Sequence, residues 1–304
     1  MMARDAGADG SIGIGARMAE MLGAAIAEAT EGMGPDGLSN VPSFIALPEP
    51  RPGLPADLSS LLTVPLTHGL GLATDKIQFA PGGHAAGLTG LQWAAQKIAS
   101  GQMDICVVAG VDSYHDRESL DWLDRSGALM SASNRNGFPP GEGAGACVLA
   151  HRSTAQQRGL AVTAVIKAAA TAVEPHPAGS GRVCIGEGLT AAMNGVIGSL
   201  RLPEQMITST YCDLNGERYR NEELVYALLR TQEAFIDAHD YRSPADCWGD
   251  VGAASGPLFA CLAVAAQTRG YAPGPYPLLW AGSARGSRAA VLLMAAEARA
   301  ARGT

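Results

Sequence analysis

Apolar residues recur at helical spacing in two segments of the N-terminal half, one over residues 16–30 and one that follows Gly82. Side chains three and four positions apart lie on one face of a helix, so both segments are predicted to be amphipathic helices. A shorter helix is expected over residues 57–63. The apolar face of the first helix consists of Met18, Met21, Leu22, Ala25 and Ile26, and that of the helix after Gly82 of Leu88, Leu91, Ala95 and Ile98.

Continuous apolar runs between these helices predict strands. Residues 105–109 form such a run and stop at Gly110, which is the pattern of a strand buried on both faces of a parallel sheet. Residues 44–47 are a shorter strand candidate, and the glycine-rich segment 137–150 predicts a turn followed by a further strand. The alternation of helices and strands indicates an α/β protein.

The second half of the chain repeats this order of elements. Residues 249–270 place small residues before an apolar helix, and two strands are expected at 278–282 and 288–294. An internal duplication explains the repeat, with chance similarity of alanine- and glycine-rich segments as the alternative. We expect two similar halves, residues 1–152 and 153–304.

Composition narrows the classes of function. The 304 residues carry a net charge of -7, which lacks the basic surface expected of a nucleic-acid-binding protein. No secretory leader pattern opens the chain, and the uncharged run from Val251 to Gln267 contains glycine and proline and is shorter than the ~20 apolar residues of a membrane helix. The six cysteines form no C-x-x-C pair, which disfavours a zinc site and a disulfide framework. We therefore expect a cytoplasmic protein with no membrane or nucleic-acid partner.

Few residues indicate a cofactor or a metal. Asp112, His115 and Asp116 have ligand-type side chains in one segment after a strand, but such a trio is usually a solvated loop, and no metal is expected. Gly13-Ile14-Gly15 lacks the third glycine and the preceding strand of a dinucleotide-binding turn, so no cofactor is expected. The chain also lacks a G-x-S-x-G motif, which excludes the α/β-hydrolase type of nucleophile.

Two blocks of residues carry a family resemblance. The first, residues 79–113, contains a small-residue turn, an alanine-rich helix and the strand that ends at Gly110, and the second is GFPPGEGAGACVLA at residues 137–150. Together they resemble the β-ketoacyl-acyl-carrier-protein synthases of the thiolase-like superfamily, with good similarity over residues 60–152 and weak similarity afterwards. The resemblance implies an αβαβα layered fold of two similar halves around mixed, mostly parallel sheets. The matched positions are Ile98-Ala99-Ser100-Gly101, Asp104, Gly110, Asp112-Ser113, Gly137-Phe138 and Gly141 to Gly145.

The resemblance also implies where a catalytic site would lie, and each position is substituted. The family's nucleophilic cysteine falls on His84, its first histidine on Tyr211 or Cys212, and its second histidine on Asp250. The family's lysine falls on Ala245, and the loop that holds its gating phenylalanine is residues 281–286, which lack an aromatic residue. The triad positions His84, Cys212 and Asp250 are therefore not expected to support condensation. Since a helix N-terminus disfavours positive charge, His84 is expected to be neutral.

Other residues have an expected role as well. His84 and Asp250 are candidates for a His–Asp pair, because the two halves face one pocket; the alternative is that His84 fills the space of an inactive site. Glu142 is expected to hydrogen-bond loop amides. The family's opening strand has only residues 10–16 as a weak candidate, so the N-terminal half is expected to be incomplete at its start.

We expect a non-condensing member of this family, a pseudoenzyme that serves as a binding, scaffolding or partner subunit. The alternative is an acyltransferase or a thioester hydrolase that acts on acyl-CoA or acyl-carrier substrates through His84 and Asp250. Partners implied by the resemblance are a second copy of the chain or an active synthase, joined through residues 76–82, and an acyl carrier protein or another client.

Overall fold

The computed structural model describes residues 13–33 and 37–296, which form two mixed sheets with helices around and between them. The N-terminal half contains α1 (Ile14–Ala29), β1 (Ser43–Leu47), α2 (Leu58–Leu70), β2 (Ile77–Pro81), α3 (Ala86–Ala99), β3 (Ile105–Ser113), α4 (Arg117–Arg125) and β4 (Glu142–Ala150). After α5 (Arg152–Gln157), the C-terminal half contains β5 (Ala164–Val173), α6 (Glu187–Ile197), β6 (Ser209–Cys212), α7 (Arg218–Thr231), β7 (Tyr241–Arg242), α8 (Ala245–Trp248), α9 (Ser255–Thr268), β8 (Pro277–Gly282) and β9 (Ser287–Ala295).

The two sheets have the same topology over four strands. The first has the order β2-β1-β3-β4, in which β4 alone is antiparallel, and the second has the order β7-β6-β8-β9 with the same directions. The Ala-Gly pairs at the end of the apolar runs, Ala109-Gly110 and Ala281-Gly282, take equivalent places on β3 and β8. The second sheet adds β5 beside β9, and β5 has no counterpart among the described residues of the N-terminal half.

The elements stack in five layers. α1 and α2 pack on the outer face of the first sheet around Leu22 and Leu62, and α6 and α7 cover the outer face of the second sheet. α3 and α9 lie between the sheets and contact both, with Leu88, Leu91 and Phe259 in this central core. The predicted αβαβα fold of two similar halves is confirmed.

α3 and α9 approach each other through glycine. A Cβ placed on Gly256 would lie 2.5 Å from the backbone nitrogen of Leu88, and one on Gly87 would lie 2.4 Å from Cδ of Pro257. Real Cβ atoms do not come so close, so the two helices are in backbone contact at this point. The contact brings the N-terminal turns of both helices together in the middle of the molecule.

Several elements differ from the sequence-based expectation. The helix expected over residues 57–63 continues to Leu70 as α2, and the strand expected to end at Ala109 continues to Ser113 as β3. The weak candidate for an opening strand is wrong at Ile14 and Gly15, which begin α1, while residues 10–12 lie outside the described residues. The pattern analysis did not find β5, α6 or α7. No helix in the described part of the chain has the length and apolar character to cross a membrane.

Candidate functional site

Two tight turns, which we call the N-terminal elbow (residues 82–85) and the C-terminal elbow (residues 249–254), lead into α3 and α9 and face each other. Gly83 and Gly252 have φ angles of 64° and 46°, a backbone conformation that favours glycine. His84 lies in the first elbow and Asp250 in the second, and both are buried, with 8% and 3% of their surface exposed. The sequence therefore places two ionisable side chains at the centre of the fold.

His84 and Asp250 form the expected pair across the two halves. Nε2 of His84 donates to both carboxylate oxygens of Asp250, at 2.8 Å and 2.9 Å. The same carboxylate accepts from Nδ2 of Asn215 at 2.6 Å and from the backbone N–H of Gly252 at 2.8 Å. The backbone of Asp250 is fixed by the glycine-rich turn of the N-terminal half, since its N–H donates to Pro139 and its carbonyl accepts from Gly141. Asp250 is thus held rigidly, with both oxygens engaged.

Each side chain of the pair stabilises the charged form of the other. Burial disfavours the imidazolium form of His84, but the adjacent carboxylate of Asp250 outweighs it and raises the pKa of His84. Burial likewise disfavours the ionised form of Asp250, but His84, Arg220 and Asn215 outweigh it and hold the pKa of Asp250 below its usual range. Asp250 therefore shifts the pKa of His84 in the direction opposite to that expected from the helix N-terminus alone. The pair thus favours the charged forms of both side chains more than their ordinary pKa values would.

We expect the stability of the protein to fall with rising pH because of this pair. A histidine whose pKa is raised by folding stabilises fully below its unfolded value of ~6.5, and its contribution is lost as the pH passes the folded pKa. The depressed pKa of Asp250 acts in the opposite sense, and its contribution is lost only in strong acid. Urea unfolding between pH 6 and 9 should therefore show a steeper decline for the natural protein than for His84→Gln. Parallel declines would contradict the ion pair.

The cavity at the two elbows is small. It has a volume of about 10 Å³ and is bordered by His84, Asp250, Cys212 and Trp248, among other residues. A cavity of this size holds about one water molecule. It has no space for an acyl chain, so any ligand would have to displace protein atoms.

Cys212 shares this cavity but lacks the surroundings of a nucleophile. It ends β6, is fully buried, and lies 3.5 Å from the carbonyl oxygen of Arg242. Burial raises the pKa of the Cys212 thiol well above its usual value, so the reactive thiolate is not formed at neutral pH. Tyr211, the other residue that fell on the family's histidine position, packs in the central core and does not border the cavity.

The buried cation of the site was not found from the sequence. Arg220 donates to Asp213 at 2.7 Å, to Glu217 at 2.9 Å and to the carbonyl oxygen of Gly282 at 2.8 Å. Asp213 also accepts from the N–H of Gly282 at 2.8 Å, so this network fixes the end of β8. Asn215 and Arg220 both belong to the charged run after β6, and this position, at a strand end beside the elbows, is the signal that could have identified them.

Each elbow is braced by a side chain from the other half. Ser283, which follows β8, accepts from the N–H of Ala85 at 2.9 Å, and Asp112 of β3 accepts from the N–H of Ala253 at 3.0 Å. Arg51 pairs with Asp112 at 2.6 Å. The hydrogen bonds from Ser283 and Asp112 satisfy N–H groups that the start of a helix leaves without a partner. The elbow geometry is therefore built into the fold even though the catalytic residue types are absent.

Two expectations for polar residues are wrong. Asp112 is buried within β3 and so does not belong to a solvated loop. Exposed His115 and half-buried Asp116 do lie in the loop after β3, where Asp116 caps α4 by accepting from the N–H of Glu118. Glu142 bonds side chains rather than loop amides, since it accepts from the Ser113 hydroxyl at 2.8 Å and pairs with Arg17 at 2.9 Å.

One cluster of metal-ligand residue types occurs in the described part of the chain. Glu174, Cys184 and Glu223 bring one ligand atom each within 4.8 Å of one another. Arg288, however, donates to both carboxylate oxygens of Glu223 at 2.5 Å and 2.9 Å, and Glu174 accepts from the N–H of Gly188. The arrangement is therefore that of a buried ion pair.

The five layers and the paired elbows define a thiolase-like fold of the ketosynthase type whose elbow carries no cysteine. Residues 82–155 match the sequence model of the β-ketoacyl synthase N-terminal domain, which confirms the resemblance over that segment. A search of curated proteins finds no match to the chain.

Solved structures confirm the fold over nearly the whole chain. The ketosynthase from module 6 of the bacillaene synthase of Bacillus subtilis 168 superposes with a TM-score of 0.76 at 16% identity, over 94% of this chain and 58% of its own. The ishigamide ketosynthase/chain length factor also gives a TM-score of 0.76 at 16% identity, over 92% of this chain and 82% of its own. This chain thus spans less than two thirds of the bacillaene ketosynthase.

Proposed function

We propose that the protein is a non-condensing ketosynthase homologue, a pseudoenzyme that acts in the cytoplasm as a binding or partner subunit. The observation that carries the proposal is the ion pair between His84 and Asp250 at the elbow where the family places its nucleophile. Nε2 of His84 donates its hydrogen to Asp250, so this nitrogen has no free electron pair to attack a thioester. The six cysteines are free thiols, which is in keeping with a reducing compartment.

The electrostatics of the elbow also oppose condensation. A developing enolate or oxyanion is stabilised by hydrogen-bond donors placed where the negative charge forms. Here the carboxylate of Asp250 occupies one of the positions that the family gives to a histidine, and a carboxylate can only repel that charge. Loss of a nucleophile alone typically costs ~10⁶ in rate, and this site has lost the donors as well.

The second candidate is a thioester hydrolase or acyltransferase. It is favoured by the His–Asp geometry, because a carboxylate that fixes one imidazole nitrogen leaves the other as a general base when the ring is neutral. The cavity beside His84 has room for about one water molecule. In this case activity would rise with pH, since the working base is the neutral ring.

His84→Ala tests both candidates. For a pseudoenzyme we expect neither the natural protein nor the variant to release thiol from acyl-CoA or acyl-carrier substrates, or to form an acyl-enzyme detectable by intact mass. An active ketosynthase assayed in parallel confirms that the substrates are competent. Turnover by the natural protein that His84→Ala abolishes would overturn the pseudoenzyme proposal and establish the hydrolytic one.

The proposed partners are a second copy of the chain or an active synthase, with an acyl carrier protein or another protein as client. The segment expected to mediate the pairing, residues 76–82, contains β2, and no strand of the described part of the chain pairs with the outer side of β2. Two such edges related by a twofold axis would join the sheets of two subunits. Light scattering at micromolar concentration should give twice the mass of one chain, or the mass of a mixed dimer when the partner is supplied.

A further inference from the structure

Two of the six cysteines lie against each other at the boundary between the two halves. Cys147 belongs to β4 in the N-terminal half, and Cys261 belongs to α9 in the C-terminal half. Sγ of Cys147 donates to the carbonyl oxygen of Pro257, one helical turn before Cys261, at 3.6 Å. Sγ of Cys261 donates to the carbonyl oxygen of Ala146, the residue before Cys147, also at 3.6 Å. Each thiol therefore contacts the backbone beside the other cysteine.

The local structure brings the two thiols to the same place. Side chains of a helix lean toward its N-terminus, so Cys261 extends back over the turn that begins at Pro257. Strand β4 turns Cys147 toward the central core, which is the layer that contains α9. The two thiols are as a result close enough to share a hydrogen bond.

The backbones of β4 and α9 also approach closely beside the cysteines. The two Cα atoms of a disulfide lie about 4.4–6.8 Å apart, so a strand and a helix must be nearly in contact to be bridged. At Gly145, two residues before Cys147, an added Cβ would lie 3.0 Å from the backbone nitrogen of Leu258. The two elements thus meet next to the cysteines, which is the condition that a disulfide imposes.

The surroundings of the pair suit reaction with a small molecule. Cys261 is exposed and Cys147 is half-buried among the described residues. Both border a groove of about 300 Å³ that is otherwise lined by aliphatic side chains and Thr163. Cys106 and Cys212, in contrast, are buried in the cores of the protein. Hydrogen peroxide is little larger than water, so this groove admits it.

The contact makes the two thiols chemically unequal. The hydrogen bond from Cys147 lowers the pKa of Cys261, and it does so against burial and against the carboxylate of Glu28. The same contact, together with burial, raises the pKa of Cys147 well above its usual value. An oxidant is attacked by a thiolate and not by a thiol. Cys261 is therefore the attacking sulfur of the pair, and Cys147 is the one that follows.

We propose that Cys147 and Cys261 form a redox site, which a hydroperoxide converts to a disulfide between β4 and α9. The Cys261 thiolate attacks one peroxide oxygen: the S–O bond forms, the O–O bond breaks, and the leaving oxygen takes up a proton. Cys147 then attacks the sulfur of this sulfenic acid: the S–S bond forms, the S–O bond breaks, and hydroxide leaves with the Cys147 proton as water. The two sulfurs are oxidised and the peroxide is reduced. Excess glutathione reverses the link by thiol–disulfide exchange and becomes oxidised itself.

The link would restrain the two segments that position Asp250. The backbone of Asp250 bonds to Pro139 and Gly141 just before β4, and its elbow leads into α9. The contacts between the two cysteine segments span 110 and 115 residues, so a bond here closes a long loop and restricts mainly the unfolded chain. Thermal unfolding of the oxidised natural protein should have a midpoint about 5 °C or more above that of the reduced protein. A lower midpoint would show that the bond distorts the fold and would overturn the proposal.

Peptide mapping of the natural full chain tests the link directly. The chain is treated with hydrogen peroxide, alkylated and digested with trypsin, which places Cys147 in peptide 136–152 and Cys261 in peptide 243–269. The second peptide also contains Cys247. We expect one cross-linked pair of peptides, whose fragmentation assigns the bond to Cys261 and which glutathione separates. Absence of the cross-linked pair, or a bond at Cys247, would overturn the proposal.

Matched variants assign the role of each sulfur. Cys247→Ser changes an exposed cysteine of the same peptide and should keep the cross-link, whereas Cys261→Ser should lose it. In Cys147→Ser the sulfenic acid on Cys261 has no thiol to react with, so dimedone should label Cys261 at least about tenfold more than in the natural protein. Labelling that does not increase would overturn the order of attack. Fragmentation of the cross-link in the natural protein decides the position of the bond even if a variant does not fold.

Discussion

Asp250→Ala is expected to lower the free energy of unfolding by about 3–5 kcal/mol, the typical effect of removing one partner of a buried ion pair. The change leaves the His84 imidazole without its counter-charge and removes the acceptor of the Asn215 amide and of the Gly252 N–H. His84 can release its proton in response, which places the expected loss toward the lower end of this range. Urea unfolding at pH 6, below the ordinary histidine pKa of ~6.5 that folding raises further, measures it.

Two controls separate the ion pair from a general effect of substitution. Asp246→Ala removes an exposed carboxylate four residues away and should change the stability by no more than ~0.5 kcal/mol. Asp250→Asn keeps an acceptor for the Gly252 N–H, so its loss of stability should lie between the losses of Asp246→Ala and Asp250→Ala. A loss below about 1 kcal/mol for Asp250→Ala would show that the pair is not the stabilising centre of the elbows.

Gly256→Ala is expected to destabilise the protein by about 1–3 kcal/mol or more, although alanine is the better helix former. The added Cβ would lie 2.5 Å from the backbone nitrogen of Leu88 and 2.8 Å from the carbonyl carbon of Gly87. Backbone atoms cannot rotate away as a side chain can, so α3 and α9 must separate and the central core must loosen.

The matched control is Gly23→Ala, also within a helix, where the added Cβ meets nothing within 4 Å. That variant should be more stable by about 0.5–1 kcal/mol through helix propensity alone. Thermal unfolding of both variants compares the two effects directly. A Gly256→Ala protein as stable as the natural one would contradict the close approach of the two central helices.

The pattern of apolar residues predicts those helices and strands whose buried positions follow a regular period or form a continuous run. α1 turns one regular apolar face to the first sheet, α3 carries apolar residues at regular helical spacing between the two sheets, and β3 is buried on both faces, so periodicity alone identifies them. β5 is alanine-rich and half-buried, and α7 carries charges on much of its surface, so neither has a clear period. Their place in the fold depends on packing against distant parts of the chain, which a local pattern does not contain.

The sequence predicts site residues only at the two turns that are equivalent in the two similar halves of the chain. His84 and Asp250 each occupy the turn before a central helix, and two equivalent turns in a duplicated fold must meet. Arg220 and Asn215 reach the same centre from the start of α7 and the segment before it, through contacts to Gly282 and Asp250 that span 62 and 35 residues. No spacing rule relates those positions, and the direction in which the pKa of His84 shifts depends on its distance to Asp250, which the sequence does not give.

The contact between the elbows also has a consequence for biosynthesis. His84 and Asp250 are separated by 166 residues, so the first elbow leaves the ribosome long before its partner is made. At ~5–20 residues per second the interval is roughly 10–30 s. During this interval the small-residue face of α3 around Gly87 has no α9 to cover it. The nascent N-terminal half therefore exposes an apolar surface to chaperones until translation of α9 completes the centre of the molecule.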